Sequence, residues 1–222
     1  YILHKEVITM GNNVVITIGR EFGSGGREIG KKVADRLGIK FYDKELLQEA
    51  AKESGFCREI FENQDEKPTN SFLYSLVMDT YSINGYSSAP FLDMPLNHKV
   101  FLAQFETIKK IAEKESCVIV GRCADYALAE NPNCINVFIH ADKEFRTKRV
   151  AAELQVNESK AKDAIQKKDK QRASYYNYYS CKKWGDSRSY DLTLNTSKIT
   201  PEQCVDIILA YREKMQENKK NK

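Results

Sequence analysis

The chain has 222 residues, 41% hydrophobic and 10% aromatic, with 35 Lys and Arg against 31 Asp and Glu. That length exceeds the range in which disulfide or metal staples are needed, and the aromatic content exceeds that of a disordered tail. No stretch approaches the roughly 20 apolar residues of a membrane-spanning helix, and the N-terminus lacks the charged, apolar and small regions of a secretory signal, so a single cytoplasmic domain without a membrane partner is expected.

The first predicted element is the β-branched run Val14-Val15-Ile16-Thr17-Ile18, apolar on both faces as a fully buried strand requires. The segment GREFGSGGREIG, Gly19 to Gly30, follows directly, and Ile29, Val33, Ala34 and Leu37 then recur at helical spacing up to Gly38, a C-cap residue. A short second strand spans Ile39 to Tyr42, and Asp43 is placed to cap a helix that ends near Ser54-Gly55. Turn residues gather at Lys67-Pro68-Thr69-Asn70 and again from Asn84 to Pro90, so residues 65–97 read as an irregular insert with one short helix over Ser71 to Thr80.

Phe101, Phe105, Ile108 and Ala112 form the apolar stripe of the next helix. A third strand, Cys117 to Val120, ends in Gly121-Arg122, and a fourth, Cys134 to Ile139, follows Asn131-Pro132-Asn133. Helices beginning near Asp142 and Asn157 come next, then a fifth strand from Asp191 to Asn195. Thr200, Pro201 and Gln203 have the spacing of a capping box for a last helix. Five buried strands alternating with helices predict an α/β fold: one parallel sheet covered by helices on both faces.

The net charge of +4 is unevenly spread. Ten Lys and Arg against five Asp and Glu fall between Lys143 and Arg172, and five against two between Arg212 and Lys222, so the remainder is slightly acidic. The terminal segment reads as a flexible solvated tail. In the internal segment, Arg146 and Arg149 lie one turn apart, while Lys168, Arg172 and Tyr175 share a face of the following helix, with Asp169 beside Arg172. A solvated charged face is the usual explanation of such a run; beside an anion site the same arginines read as a lid that closes over phosphate.

The anion site is suggested by the glycines. Gly19, Gly23, Gly25 and Gly26, set where a buried strand turns into a helix, let backbone N–H groups converge on an anion at the helix N-terminus, where the dipole favours negative charge. The phosphate-loop pattern G-x-x-x-x-G-K-[ST] would put Lys at Gly26 or Arg27 and a hydroxyl at Arg27 or Glu28, and the dinucleotide pattern G-x-G-x-x-G is absent. Arg27 is the expected substitute for the lysine charge, because a guanidinium can contact two phosphate oxygens at once; Ser24 sits too early in the loop to be assigned as a magnesium ligand. Ligands of doubly wound sheets collect beyond the carboxyl ends of the strands, where Arg20, Asp43, Arg122 and His140 stand. Arg122 is expected to bind an anion, Asp43 either to cap a helix or to meet substrate or metal, and His140 to pack. Six cysteines without a C-x-x-C pair and three scattered histidines argue against zinc and for reduced, buried thiols. The tyrosines from 175 to 179 beside cations have the composition of a base-stacking surface, but no RNA-binding motif accompanies them, so nucleic acid is not an expected partner.

In chain order, ITIGREFGSGGREIG, FYDKELL, VIVGRCADYAL, DKQRASYYNYY with KKWGD, and YDLTLNTSKI resemble the cytidylate kinase-like family of P-loop nucleoside monophosphate kinases, from about Val14 to Ala210. The resemblance implies a P-loop NTPase-like core at residues 14–64, 98–142 and 190–211, an acceptor-binding insert at about 65–97 and a helical lid at about 143–189, leaving 212–222 as the tail. It implies that Gly23, Ser24, Gly25, Gly26 and Arg27 hold the ATP phosphates, that Arg122 meets the acceptor phosphate and that Arg172 belongs to the lid. It further implies that Arg146 and Arg149 approach the nucleotide base or the transferring phosphate and that Asp43 and Gln104 line the acceptor pocket. Arg27, Arg122 and Arg172 are the expected catalytic residues, and Arg20 an expected substrate contact. The implied activity is phosphoryl transfer from ATP, with Mg2+, to a small acceptor such as CMP or dCMP; a same-fold kinase with another acceptor and a nucleotide-binding protein without transfer are the alternatives. Cytidylate kinases carry a G-K-G or G-K-T lysine in this loop, where this chain has Gly25-Gly26-Arg27.

Overall fold

A computed structural model describes residues 13–43, 46, 52, 66 and 95–220. Its strands are β1 (Val15–Arg20), β2 (Lys40–Tyr42), β3 (Cys117–Val120), β4 (Cys134–His140) and β5 (Leu192–Asn195), each within two residues of the predicted run at either end. They form one sheet in the order β2-β3-β1-β4-β5, and every pair is parallel. Among the described residues the helices are α1 (Gly26–Leu37), α2 (Leu96–Lys114), α3 (Ala124–Ala127), α4 (Lys143–Leu154), α5 (Glu158–Ser180) and α6 (Pro201–Lys220).

The strands are apolar on both faces because both faces are covered. Ile16, Ile18, Val118 and Val120 pack against Ile29 and Val33 of α1 and Cys204 and Ile208 of α6. Their neighbours in sequence, Val15, Cys117 and Ile119, point the other way, against Ile108 and Ala112 of α2 and Ala124 of α3, as the two-residue period of a strand dictates. Each such fully buried aliphatic side chain contributes about 1.5–3 kcal/mol. β1 is central: Ile18 is in register with Val120 of β3 on one side and Val137 of β4 on the other. After β1 the chain leads to β2, returns to β3 between them, and then crosses to β4. This reversal at β1 opens a crevice beyond its carboxyl end.

The capping box read at Thr200 is realised: Thr200 Oγ1 accepts from the Gln203 N–H at 3.2 Å while Gln203 Oε1 accepts from the Thr200 N–H at 2.9 Å. At the start of α5, Asn157 Oδ1 accepts from the Lys160 N–H at 2.9 Å; the helix that Asp43 is expected to cap lies outside the described residues. The tail differs from expectation: α6 continues to Lys220, with Met215 packed on the core and Lys219 Nζ bonded to Pro132 O and Asn133 Oδ1. The segment from Arg212 contains good helix formers and neither Gly nor Pro before position 220, so nothing stops the helix there. The helices expected to end near Ser54 and to span Ser71 to Thr80 lie outside the described residues.

The basic segment forms a helical pair, α4 and α5, joined by Val150, Ala161 and Ile165, with Phe22 of the glycine loop packed against them. The tyrosine run is interior: Tyr175, Tyr176 and Tyr179 are buried with Phe101 of α2, and the Phe101 and Tyr179 rings stack at 3.9 Å. These rings are therefore closed to bases. Cys117, Cys123, Cys134 and Cys204 are buried free thiols, Cys181 is exposed, and Cys57 lies outside the described residues. Among the described residues no helix is long and apolar enough to cross a membrane.

Candidate functional site

The glycine loop occupies the crevice at the end of β1. Gly23 and Gly25 both have φ near +80°, a conformation that side chains disfavour. Gly26 is required for another reason: a Cβ there would lie 2.5 Å from Arg20 Cβ and 3.2 Å from Ile139 Cβ. The loop is clamped from behind. Asp169 of α5 accepts from the Phe22 N–H at 2.7 Å and pairs with Arg146, whose guanidinium also donates to Phe22 O at 3.2 Å and Ala141 O at 3.1 Å. Ser24 is buried, its hydroxyl donating to Glu21 O at 2.9 Å, and its own carbonyl accepts from Thr196 Oγ1 at 2.9 Å.

Arg146 is thus set behind the loop, whereas Arg149 stands at its mouth. An Arg149 Nη1 lies 3.0 Å from where a Gly25 Cβ would be, and the guanidinium pairs with Glu28 and Glu153, each at 2.8 Å. Arg27 projects from the first turn of α1, largely exposed, with Nε 2.6 Å from Asp43 Oδ2. Asp43 is buried just past β2 and also lies 3.4 Å from Arg122 Nη1. Burial opposes its charge, but Arg122, Arg27 and Arg20 outweigh that and hold its pKa below the ordinary aspartate value. Asp43 therefore anchors guanidinium groups.

Arg122 follows β3 in a turn in which Gly121, Arg122 and Cys123 all have positive φ, between 55° and 77°. Left-handed non-glycine residues concentrate at functional sites. The turn folds the buried Arg122 side chain back so that Nη1 donates to Val120 O at 3.0 Å. Gln104 on α2 is also buried, with Oε1 accepting from the Tyr175 hydroxyl at 3.2 Å and Nε2 lacking a hydrogen-bond partner among the described residues. It does not line the main cleft.

Sequence reasoning missed Glu66. Its Oε1 lies 2.8 Å from Arg20 Nη1 and accepts from the Arg122 backbone N–H at 3.4 Å, while Oε2 lies 3.3 Å from Arg172 Nε. Burial works against the carboxylate, yet Arg20, Arg172 and Arg122 together hold its pKa far below the usual glutamate range. Arg172 also donates to Arg20 O at 3.3 Å. A lone acid in a turn-rich stretch carries no periodic signal; only the three unexplained arginines hinted at a counter-ion. Asp169 was visible as an acid within a basic face, but its bond to the Phe22 N–H was not.

Between the loop and these arginines is a cleft of about 940 Å³, lined by loop residues and by Asp43, Glu66, Arg122, Arg149 and Arg172. Arg20, Arg27, Arg122 and Arg172 are thus brought to one space. Among the described residues no group of three or more His, Cys, Asp and Glu could hold a metal ion.

A family model for the cytidylate kinase-like family matches residues 15–198, from the start of β1 past the end of β5. The chain belongs to the cytidylate kinase-like family. A cytidylate kinase from Pyrococcus horikoshii is 27% identical over 201 residues, covering 90% of this cytidylate kinase-like chain and 88% of that protein. The solved structure of an uncharacterized protein from Eubacterium ventriosum is 35% identical and covers 90% of this chain and 99% of its own, with a TM-score of 0.67. Shikimate kinase from Bacteroides thetaiotaomicron, at 16% identity, 90% and 98% coverage and a TM-score of 0.52, shares the fold. Family membership supports kinase-type phosphoryl transfer by this cytidylate kinase-like chain.

Proposed function

We propose that the chain is an ATP-dependent kinase whose acceptor is a nucleoside monophosphate such as CMP or dCMP. The observation that carries this reading is the pairing, across one cleft, of a glycine loop at a helix N-terminus with a cluster of buried arginines.

In this reading, backbone N–H groups from Gly23 to Arg27 hold the donor phosphates, aided by the dipole of α1, and Arg27 and Arg149 neutralise charge at the mouth of the loop. Arg20 and Arg122 hold the acceptor phosphate, with Asp43 fixing the guanidinium groups of Arg27 and Arg122. Arg172 stabilises the charge that spreads over the phosphoryl group in flight. An acceptor oxygen attacks the γ-phosphorus in line, so no covalent intermediate on the protein is required. The loop fits phosphate better than it fits a metal: Ser24 turns its hydroxyl inward and Arg27 stands where a ligating hydroxyl would be. Magnesium would be held by the donor phosphates themselves and would supply neutralisation of their charge. Arg146 shapes the loop and touches the nucleotide only through it. Gln104, with its unsatisfied amide, serves the acceptor side together with the insert at about 65–97, while α4 and α5 act as the lid over about 143–189. Buried free thiols accord with a reducing cytoplasm.

The test is ADP release measured over a panel of nucleoside monophosphates and other small phosphorylatable acceptors, with and without Mg2+. ADP formed fastest with CMP or dCMP is expected; formation only with an acceptor of another class overturns the assignment. ATP binding without ADP formation from any acceptor would fit a nucleotide-binding protein that does not transfer.

A further inference from the structure

Glu66 is a buried carboxylate in the cleft to which the proposed reaction assigns no part. Its surroundings have the makeup of an anion receptor: two half-buried guanidinium groups and a backbone N–H converge on one carboxylate at the carboxyl ends of β1 and β3. That receptor is built from three distant parts of the chain, Arg20 on β1, Arg122 after β3 and Arg172 on α5. These are the residues that would receive phosphate if the cleft works as proposed above.

Two further observations bear on what the receptor is for. First, Glu66 has φ 51°, a left-handed backbone uncommon for a non-glycine residue and concentrated at functional sites. Second, one carboxylate is shared between Arg20 and Arg172, and burial and the nearby Arg20 charge together lower the pKa of Arg172 despite Glu66 and Asp169. An anion with two charges and more acceptor oxygens satisfies the same donors better.

We propose that the Glu66 carboxylate stands in for a phosphate dianion in the cleft, competing with it for Arg20, Arg172 and the Arg122 backbone N–H, so that phosphate binds only by displacing Glu66 and simple carboxylates, no better than Glu66 itself, are excluded. The inference rests on the phosphoryl-transfer reading of the cleft and deepens it by naming the group that the acceptor phosphate must displace.

The experiment titrates inorganic phosphate into the full chain by calorimetry, without nucleotide, at constant ionic strength. Glu66→Gln, which keeps shape and removes charge, should bind phosphate at least tenfold more tightly than the parent. Glu66→Asp, which keeps the charge but withdraws it by one methylene, should gain a few-fold and decides the matter if the glutamine variant does not fold. Adding Arg172→Gln to either variant should abolish the gain, and acetate at the same ionic strength should not compete with phosphate. Unchanged or weaker phosphate binding on removal of the Glu66 charge overturns the proposal, as does a gain that survives Arg172→Gln, because that phosphate would be sitting on the glycine loop. Competition by acetate equal to that of phosphate overturns the selectivity. Phosphate affinity is measured without turnover, so failure to form ADP with CMP leaves this result standing by itself.

Discussion

Placing a lysine at position 26, where the common phosphate loop has one, should damage this protein. A Cβ at Gly26 would lie 2.5 Å from Arg20 Cβ, 3.2 Å from Arg20 Cγ and 3.2 Å from Ile139 Cβ. Arg20 Cβ is fixed by the β1 backbone, so no side-chain rotation relieves the contact and the strand or α1 must shift. Overpacking of this kind costs about 1–3 kcal/mol, partly offset by the better helix propensity of lysine, at most about 1 kcal/mol. At roughly 2–4 °C per kcal/mol for a chain of this size, Gly26→Lys should lower the melting temperature by several degrees in scanning calorimetry. A second substitution identifies the cause. Arg20→Ala retains the offending Cβ and should give no relief, whereas Arg20→Gly removes it and should show a favourable coupling of at least about 1 kcal/mol with Gly26→Lys in a double-mutant cycle. Equal or higher stability of Gly26→Lys alone, together with faster ADP formation, would refute the argument that Arg20 fills the lysine's space.

Three other outcomes are expected. Arg172→Ala should lower turnover by about 10²–10³-fold in steady-state kinetics with little change in the KM for ATP; unchanged turnover removes Arg172 from the transition state. Asp169→Ala strips the shared carboxylate from the Phe22 N–H and the buried Arg146 and should cost about 2–4 kcal/mol in urea denaturation, a loss below about 1 kcal/mol showing that the loop is held by other contacts. The Glu66 carboxyl is held below its ordinary value of 4.5, so its stabilisation is complete above that pH and is lost as pH falls toward the lowered folded-state value. The stability of Glu66→Gln should therefore fall less steeply on acidification below about pH 4.5 than that of the parent, and identical acid limbs would show that Glu66 is not ion-paired.

The sheet was legible because a parallel strand buried on both faces appears as an unbroken β-branched or apolar run between turn residues, as Cys117 to Val120 does before Gly121. The helix starts at Asn157 and Thr200 were legible because capping is local. The glycine loop and Arg122 could be found because their chemistry is tied to the end of a strand. Glu66 could not: its partners are 46, 56 and 106 residues away, and only the folded chain brings them together. Arg146 shows the same limit in reverse. Its spacing put it beside Arg149 on one helix, yet spacing does not report that Phe22 O, Ala141 O and Asp169 consume its donors.

One helix, α5, holds both halves of the cleft. Through Asp169 it grips the backbone of the glycine loop, and one turn later, through Arg172, it grips the arginine cluster, while its C-terminal tyrosines are immobilised against α2. A displacement of the span between Asp169 and Arg172 is therefore felt by the glycine loop and the arginine cluster at once. In the proposed reaction, thermodynamic linkage makes the result reciprocal: whatever free energy donor phosphates contribute to seating α5 reappears as tighter binding of the acceptor, and occupation of the acceptor side tightens the grip on the donor by the same factor.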